Sequence, residues 1–128
     1  MFSHVMLGAN DMAASKAFYD ATITALGGKP GRADDKGRVS YMLDGGVFML
    51  SAPIDGQPAC HANGGTVGFA ASSPEAADAW HAAGLANGGT AIEDPPGIRS
   101  NAFGSLYLAY LRDPAGNKVC ATHRVPRD

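Results

Sequence analysis

Six residues of one strand parity raise the chemical question. His4, Met6, Met49, Ser51, Thr66 and Cys120 alternate with Val5, Leu7, Leu50, Val67 and Val119 in strand-like segments, so they share the face opposite the apolar one. An imidazole can ligate a metal or transfer a proton, a thiol can attack or ligate, and hydroxyls can hold a substrate. The plainer roles are a strand-end histidine satisfied by a hydrogen bond and a cysteine packed as a small hydrophobe. No Asp or Glu neighbours His4 or Cys120 in the strand pattern, so no activating dyad is visible. Gly8, Gly68, Ala70 and Thr122 share the parity. Small side chains on the second face of a curved sheet leave a hollow, the usual form of a ligand site.

The elements that must position these residues occur twice. His4 to Gly8 and a helix pattern through Ala14, Ala17 and Phe18 are answered 62 positions later by Thr66 to Ala70 and a helix through Ala76, Ala79 and Trp80. Asn10 or Asp11 caps the first helix, which runs to about Leu26 and stops at Gly27-Gly28. Strands at 38–43 and 47–51 follow across the Asp44-Gly45-Gly46 turn, preceded by an edge strand and a turn at Asp34 to Gly37. Ser72-Ser73-Pro74-Glu75 marks the second helix start and Asn87-Gly88-Gly89 its end. A short strand at 90–92, a loop from Pro95 to Phe103, and strands at 106–112 and 118–123 about the turn at Asp113 to Asn117 complete the copy. In this half the repeat reads at an offset of 69, pairing Tyr41 with Tyr110, Asp44 with Asp113, Leu50 with Val119 and Ser51 with Cys120. Phe48, Phe18 and Trp80 read as core.

The expected architecture is therefore α+β, one domain over 1–128: a βαβββ module at 1–52, a linker at 53–65 and a second module at 66–128. At 128 residues, with 45% hydrophobic and 17% charged residues, the chain can bury a sizeable core. A net charge of −2 with scattered Lys and Arg gives no basic stripe for nucleic acid. The start of the chain lacks a signal-peptide pattern and no stretch is long enough to span a bilayer, so a cytoplasmic protein is expected, with Cys60 and Cys120 as free thiols.

The chain resembles the vicinal oxygen chelate superfamily, the glyoxalase, bleomycin-resistance and extradiol dioxygenase group. The resemblance rests on His4-Val5-Met6-Leu7 before Asp11 and Ala17-Phe18-Tyr19-Asp20, and more specifically on Leu111-Arg112-Asp113-Pro114-Ala115-Gly116-Asn117-Lys118. It implies paired modules forming a cupped mixed sheet with helices on its outer face, often in a homodimer. It also implies one divalent metal held by His and Glu side chains at equivalent strands of the two copies. Carried onto this chain those positions are His4, Ser51, Thr66 and Cys120, of which only His4 is a family ligand. The site thus reads as degenerate, with His4 the one metal-ligand candidate and no cofactor assigned.

By the same resemblance Arg99 lies in a loop over the cavity mouth, where a guanidinium could clamp a carboxylate or phosphate. Glu93 and Asp94 read as a solvated rim, Cys60 and His61 as surface residues of the linker, His81 as solvated at the helix flank, and His123 as a residue with no partner visible in the sequence. Tyr107 and Tyr110 have opposite parities, so one at most faces the cavity, and Tyr107 joins Met6, Met49, Ser51, Thr66, Arg99 and Cys120 as a ligand-binding candidate. Three functions compete: binding of a small, anionic molecule without chemistry, a metal-dependent lyase, isomerase or dioxygenase of the glyoxalase type, and a metal-free enzyme using His4 as acid and base. Whether the modules pair within one chain or across a dimer is open at this level.

Overall fold

The computed structural model describes residues 1–126. Strand β1 (Val5–Gly8) leads into helix α1 (Met12–Ala25), followed by β2 (Arg32–Ala33), β3 (Val39–Leu43) and β4 (Gly46–Ser51). The second copy repeats the order with β5 (Val67–Ala70), α2 (Pro74–Ala86), β6 (Thr90–Ala91), β8 (Gly104–Arg112) and β9 (Lys118–Arg124). One strand was not foreseen: Gly97–Asn101, read as loop, forms β7 and pairs antiparallel with β8. The prolines before it stop the helix period without preventing extension, and a run as polar as Arg-Ser-Asn carries no apolar alternation to betray an edge strand.

Local chemistry explains the helices. Asp11 caps α1 by accepting from the Ala14 N–H at 3.1 Å, and Ser73 caps α2 by accepting from Ala76 at the same distance, with Pro74 in the first turn. Gly27, at φ 99°, ends α1, where the Gly28 N–H reaches back to the Ile23 carbonyl at 2.9 Å. Gly89 closes α2 onto Gly84 in the same way at 2.8 Å.

The strands divide into two sheets, β1-β4-β3-β2 and β5-β9-β8-β6 with β7 beside β8, and no ladder joins them. The modules are instead joined through their helices, which pack on one another. Gly84 permits the close approach, since a Cβ there would run into Leu111 and Phe18. Phe18, Tyr19, Trp80, Leu50, Leu111 and Val119 are fully buried, and the helix-facing residues of both sheets enter this one cluster. β5 lies across the helix side of the first sheet, with the Phe69 ring 5.1 Å from Phe48. Phe48 and Trp80 are core as expected.

The register differs from the sequence reading. Met6 is level with Met49, and Gly68 with Cys120, so the structural counterpart of Cys120 is Met49 and that of Ser51 is Thr122. The cause lies in the hairpins. Asp44 and Gly45, at φ 52° and 81°, form a two-residue turn, whereas Asp113 pairs with Asn117 around Pro114-Ala115-Gly116, with Gly116 at φ 93°. Asp113 thus closes its hairpin as Leu43, and not Asp44, closes the first, and the turn adds one residue more, so β9 is displaced by two residues from the place that a repeat aligned on Asp44 and Asp113 gives it.

A buried polar network fastens the modules together. The Tyr19 hydroxyl, on α1, donates to Asp113 at 2.6 Å, and the Asn117 side-chain amide donates both to Asp113 at 2.9 Å and to the Gly8 carbonyl at 3.0 Å. Burial, with the Asp113 carboxylate beside it, pushes the Tyr19 hydroxyl well above its ordinary pKa, so it stays a donor. Nearer the surface, Asp20 accepts from Lys16 at 2.7 Å and from the Gly31 N–H and Tyr41 hydroxyl at 2.8 Å. Burial alone would raise the Asp20 carboxyl, but these three donors together hold it below its ordinary value.

Removing the Tyr19 hydroxyl (Tyr19→Phe) is expected to cost about 1–3 kcal/mol in urea denaturation, because Asp113 would remain buried one donor short. Asp20, with a lowered native pKa, contributes stability above its unfolded value near pH 4, lost as pH falls through the native value. The stability gap between wild type and Asp20→Asn should therefore be widest at neutral pH and close on acidification; a gap independent of pH would contradict the assignment.

Candidate functional site

Each sheet turns one face to the shared core and one away from it, and the chemistry-bearing parity lies on the outward faces. On the first sheet, Met6 and Met49 stand side by side on adjacent strands, with Ser51 next to Gly8. Met6 is 42% and Met42 74% exposed, so this face is open. Against it lies a hollow of about 830 Å³ bordered by Met6, Ser51, Lys36, Arg38, Pro53 and Cys60. On the second sheet, Gly68 lies beside Cys120, whose Sγ is 3.5 Å from the Thr122 hydroxyl, and Tyr110 follows across β8. A separate hollow of about 620 Å³ borders Gly68, Ala70, Thr122 and Arg124. Neither hollow is lined by both sheets. The pairs are therefore assembled within each module, and joining the helices back to back leaves each set facing away from the common core.

The structure locates the individual candidates as follows. His4 is exposed just before β1, with Nδ1 2.8 Å from the Ser3 hydroxyl and no carboxylate orienting it. Thr66 is exposed just before β5. Ser51 turns its hydroxyl to the neighbouring Ala52 carbonyl at 2.9 Å. Cys120 is 5% exposed, and burial pushes its thiol up, so it is not a ready nucleophile. Arg99 does not present its guanidinium to a ligand. It donates to the carbonyls of Pro95, Gly97, Leu108 and Asp94 at 2.8–3.2 Å, binding the loop and β7 to β8. A chain turning twice after two prolines leaves carbonyls for which Arg is the nearest multiple donor.

Tyr107 is likewise displaced from its expected role. It lies on the helix side, packed on the core, and its hydroxyl donates to Asp78 of α2 at 2.6 Å. Tyr110 occupies the outward face instead, with the Lys118 ammonium 5.0 Å and the Arg99 guanidinium 5.6 Å from its ring centroid. Parity showed that one tyrosine would pack, and the helix contact determines which. Glu93 is an ion-pair partner of Lys118, and His123 reaches the Ala71 carbonyl at 3.0 Å. His81 is half-buried against β8, where desolvation lowers its pKa. Cys60 and His61 are exposed. Lys36, which sequence reasoning passed over as a turn residue, has no ion-pair partner among the described residues and borders the larger hollow.

The donors do not fit a hard divalent cation. With the register corrected, the equivalent positions hold His4 and Met49 in one copy and Thr66 and Cys120 in the other. Mg, Mn, Fe and Ni sites draw on carboxylate and imidazole, and a thioether, a neutral hydroxyl and a buried protonated thiol supply neither. Among the described residues no three His, Cys, Asp or Glu side chains gather as a metal-holding group.

Comparison with known proteins agrees with this architecture. Residues 1–121 match the profile of the Glyoxalase/Bleomycin resistance protein/Dioxygenase superfamily. The fold is similar to that of a glyoxalase/bleomycin resistance protein from Albidiferax ferrireducens T118, at 60% identity and TM-score 0.93, covering 97% of this chain and 99% of that one. At 20% identity and TM-score 0.66, lactoylglutathione lyase from Agrobacterium tumefaciens shares the fold, with 96% and 92% of the two chains covered. A family enzyme from Burkholderia phytofirmans PsJN does so at 18% identity and TM-score 0.70, over 96% and 98%. No curated protein matched. By the extent of the profile match and the 60% identity, the chain belongs to the glyoxalase/bleomycin resistance protein/dioxygenase superfamily.

Proposed function

We propose that the protein is a homodimer that binds a small, anionic molecule in a cup completed by two copies, the outward face of the first sheet of one copy closing against the outward face of the second sheet of its partner. The observation that carries this reading is the pair of unjoined strand edges. The Ala9 N–H bonds to Ser51 and the Ala71 N–H to Thr122. In a parallel ladder this alternation leaves Met6 and Gly8 on β1, and Gly68 and Ala70 on β5, with backbone groups pointing away from their sheets. Among the described residues only the Gly8 carbonyl is answered, by Asn117. Two short edges of the same chain, with an open face beside each, are suited to join across copies, β1 of one against β5 of the other.

The lining then decides the chemistry. Met6 and Met49 offer polarizable apolar surface, Gly68 and Ala70 leave room, and the Lys36 ammonium, without an ion-pair partner among the described residues, supplies the charge for an anionic group, the role that sequence reasoning gave to Arg99; Asp55 at the same border accepts from the Gln57 N–H at 2.9 Å. His4 has no carboxylate to tune or aim it as a general base, and the donor set does not serve a metal-polarised enediolate. Binding without turnover is the function this lining supports.

In size-exclusion chromatography with light scattering, wild type is expected to run as a dimer. Ala70→Pro, which removes one edge N–H at a position where edge strands tolerate proline, should run as a folded monomer by circular dichroism. Metal analysis of tag-free protein should give well below one divalent ion per chain. A stoichiometric ion that disappears in His4→Ala would overturn the binding reading in favour of a lyase.

A further inference from the structure

A second cavity opens between the modules, between the end of α1, the β3–β4 hairpin and β5. It holds about 260 Å³. Its floor is aromatic: Phe48 and Phe69 meet edge to face at 5.1 Å, and Tyr41 lies 6.1 Å from Phe48. Ile23 and Leu26 from the end of α1 wall one side, and Val67 from β5 the other. The Tyr41 hydroxyl is turned away to Asp20, so its ring is what the cavity meets. Among the described residues the single carboxylate in the lining is Asp44, exposed at the tip of the β3–β4 hairpin, and no cation lines the space.

Size and chemistry together narrow the occupant. An apolar cavity of about 150 Å³ suffices for benzene, and drug-sized ligands fill sites of about 300 Å³ or more, so this one suits one or two fused rings. Aromatic walls already set edge to face favour a flat aromatic guest over an aliphatic one of equal volume. A carboxylate at the mouth with no compensating cation favours a positively charged or N–H-bearing head and disfavours an acid. The cup differs in being bordered by the cations Lys36 and Arg38 as well as by Asp55.

We propose that the inter-module cavity is a binding site for a small aromatic amine, its ring on Phe48, Phe69 and Tyr41 and its head at Asp44. The site draws walls from both modules, so a guest there bridges α1, the β3–β4 hairpin and β5. The proposal does not rest on the cup reading, because the aromatic walls and Asp44 all lie within one chain, although Gly68 and Ala70 of β5 border both spaces.

Titration calorimetry with tryptamine, indole and benzoate tests it on the full chain. Tryptamine should bind once per chain with a Kd of about 0.1 mM, indole several-fold more weakly, and benzoate not at this site. Val67→Phe, which fills the cavity from β5, should abolish binding of both amine and indole. Leu43→Phe fills it from β3 and serves the same purpose if Val67→Phe fails to fold. Asp44→Asn keeps a residue that accepts the left-handed turn and should erase the preference for tryptamine over indole. Ser51→Trp, which obstructs the cup, should leave all three results unchanged. The proposal fails if neither aromatic binds saturably. It fails equally if binding survives the filling variants, or if it is lost in Ser51→Trp and retained in Val67→Phe, which would move the ligand to the cup.

Discussion

The Asp113 carboxylate, 4% exposed, accepts from the Tyr19 hydroxyl, the backbone N–H groups of Ala115 and Asn117, and the Asn117 amide. No cation among the described residues forms an ion pair with it. A buried carboxylate without a counter-ion costs several kcal/mol to desolvate, and four short donors offset that only while the geometry holds. Two of them fix the three-residue hairpin, which sets where β9 begins. A third comes from α1, so the helix of the first module and the last hairpin of the second are positioned together. The orientation of the modules, and hence the direction in which their outward faces look, depends on this group.

That orientation explains why one chain holds two half-sites. With helices between the sheets, a common apolar core forms without any ladder from β1 to β5, and each edge keeps unpaired backbone groups beside an open face. The helix interface is not optimal in itself. Thr22 Oγ1 and Trp80 Nε1 are buried there without a hydrogen-bond partner, each at a cost of about 1–3 kcal/mol. Burial of Phe18, Trp80, Tyr19 and Leu111 outweighs that cost, at about 1.5–3 kcal/mol for a large apolar side chain.

Much of this was legible in the sequence because it is local. Alternation assigned Val5, Leu7, Leu50 and Val119 to the core and Met6, Met49 and Cys120 to the other face, and Asp11, Ser73, Gly27 and Gly88 set the helix ends within a residue or two. What stayed hidden depends on geometry that no spacing records. Asp113 stands at the hairpin place of Leu43 and not of Asp44, and its turn is longer by one residue, so the equivalence of Cys120 moved by two positions, from Ser51 to Met49. Arg99 was read as a ligand clamp because its type suits anions, but the carbonyls it satisfies are created by the loop it holds. Tyr107 and Tyr110 could be set on opposite faces but not assigned between them, because Asp78, the partner that decides, lies on a helix distant in sequence.

The corrected register also bears on what duplication conserves. Symmetry delivers two equivalent places at the start of β1 and β5 and two in β4 and β9, and it delivers them whatever residues stand there. The counterpart of His4 is Thr66 and that of Met49 is Cys120: an imidazole matched by a hydroxyl, a thioether by a thiol. Four places suited by position to gather ligands thus carry four different donors, none a carboxylate. A site of this composition gains nothing from the charge-neutralising pull that a divalent cation would exert on the fold, and stability must come from the Asp113 network and the core. The outward faces are then free to be lined for shape and softness. Methionine on one face, and glycine and alanine on the other, are side chains that adapt to a guest.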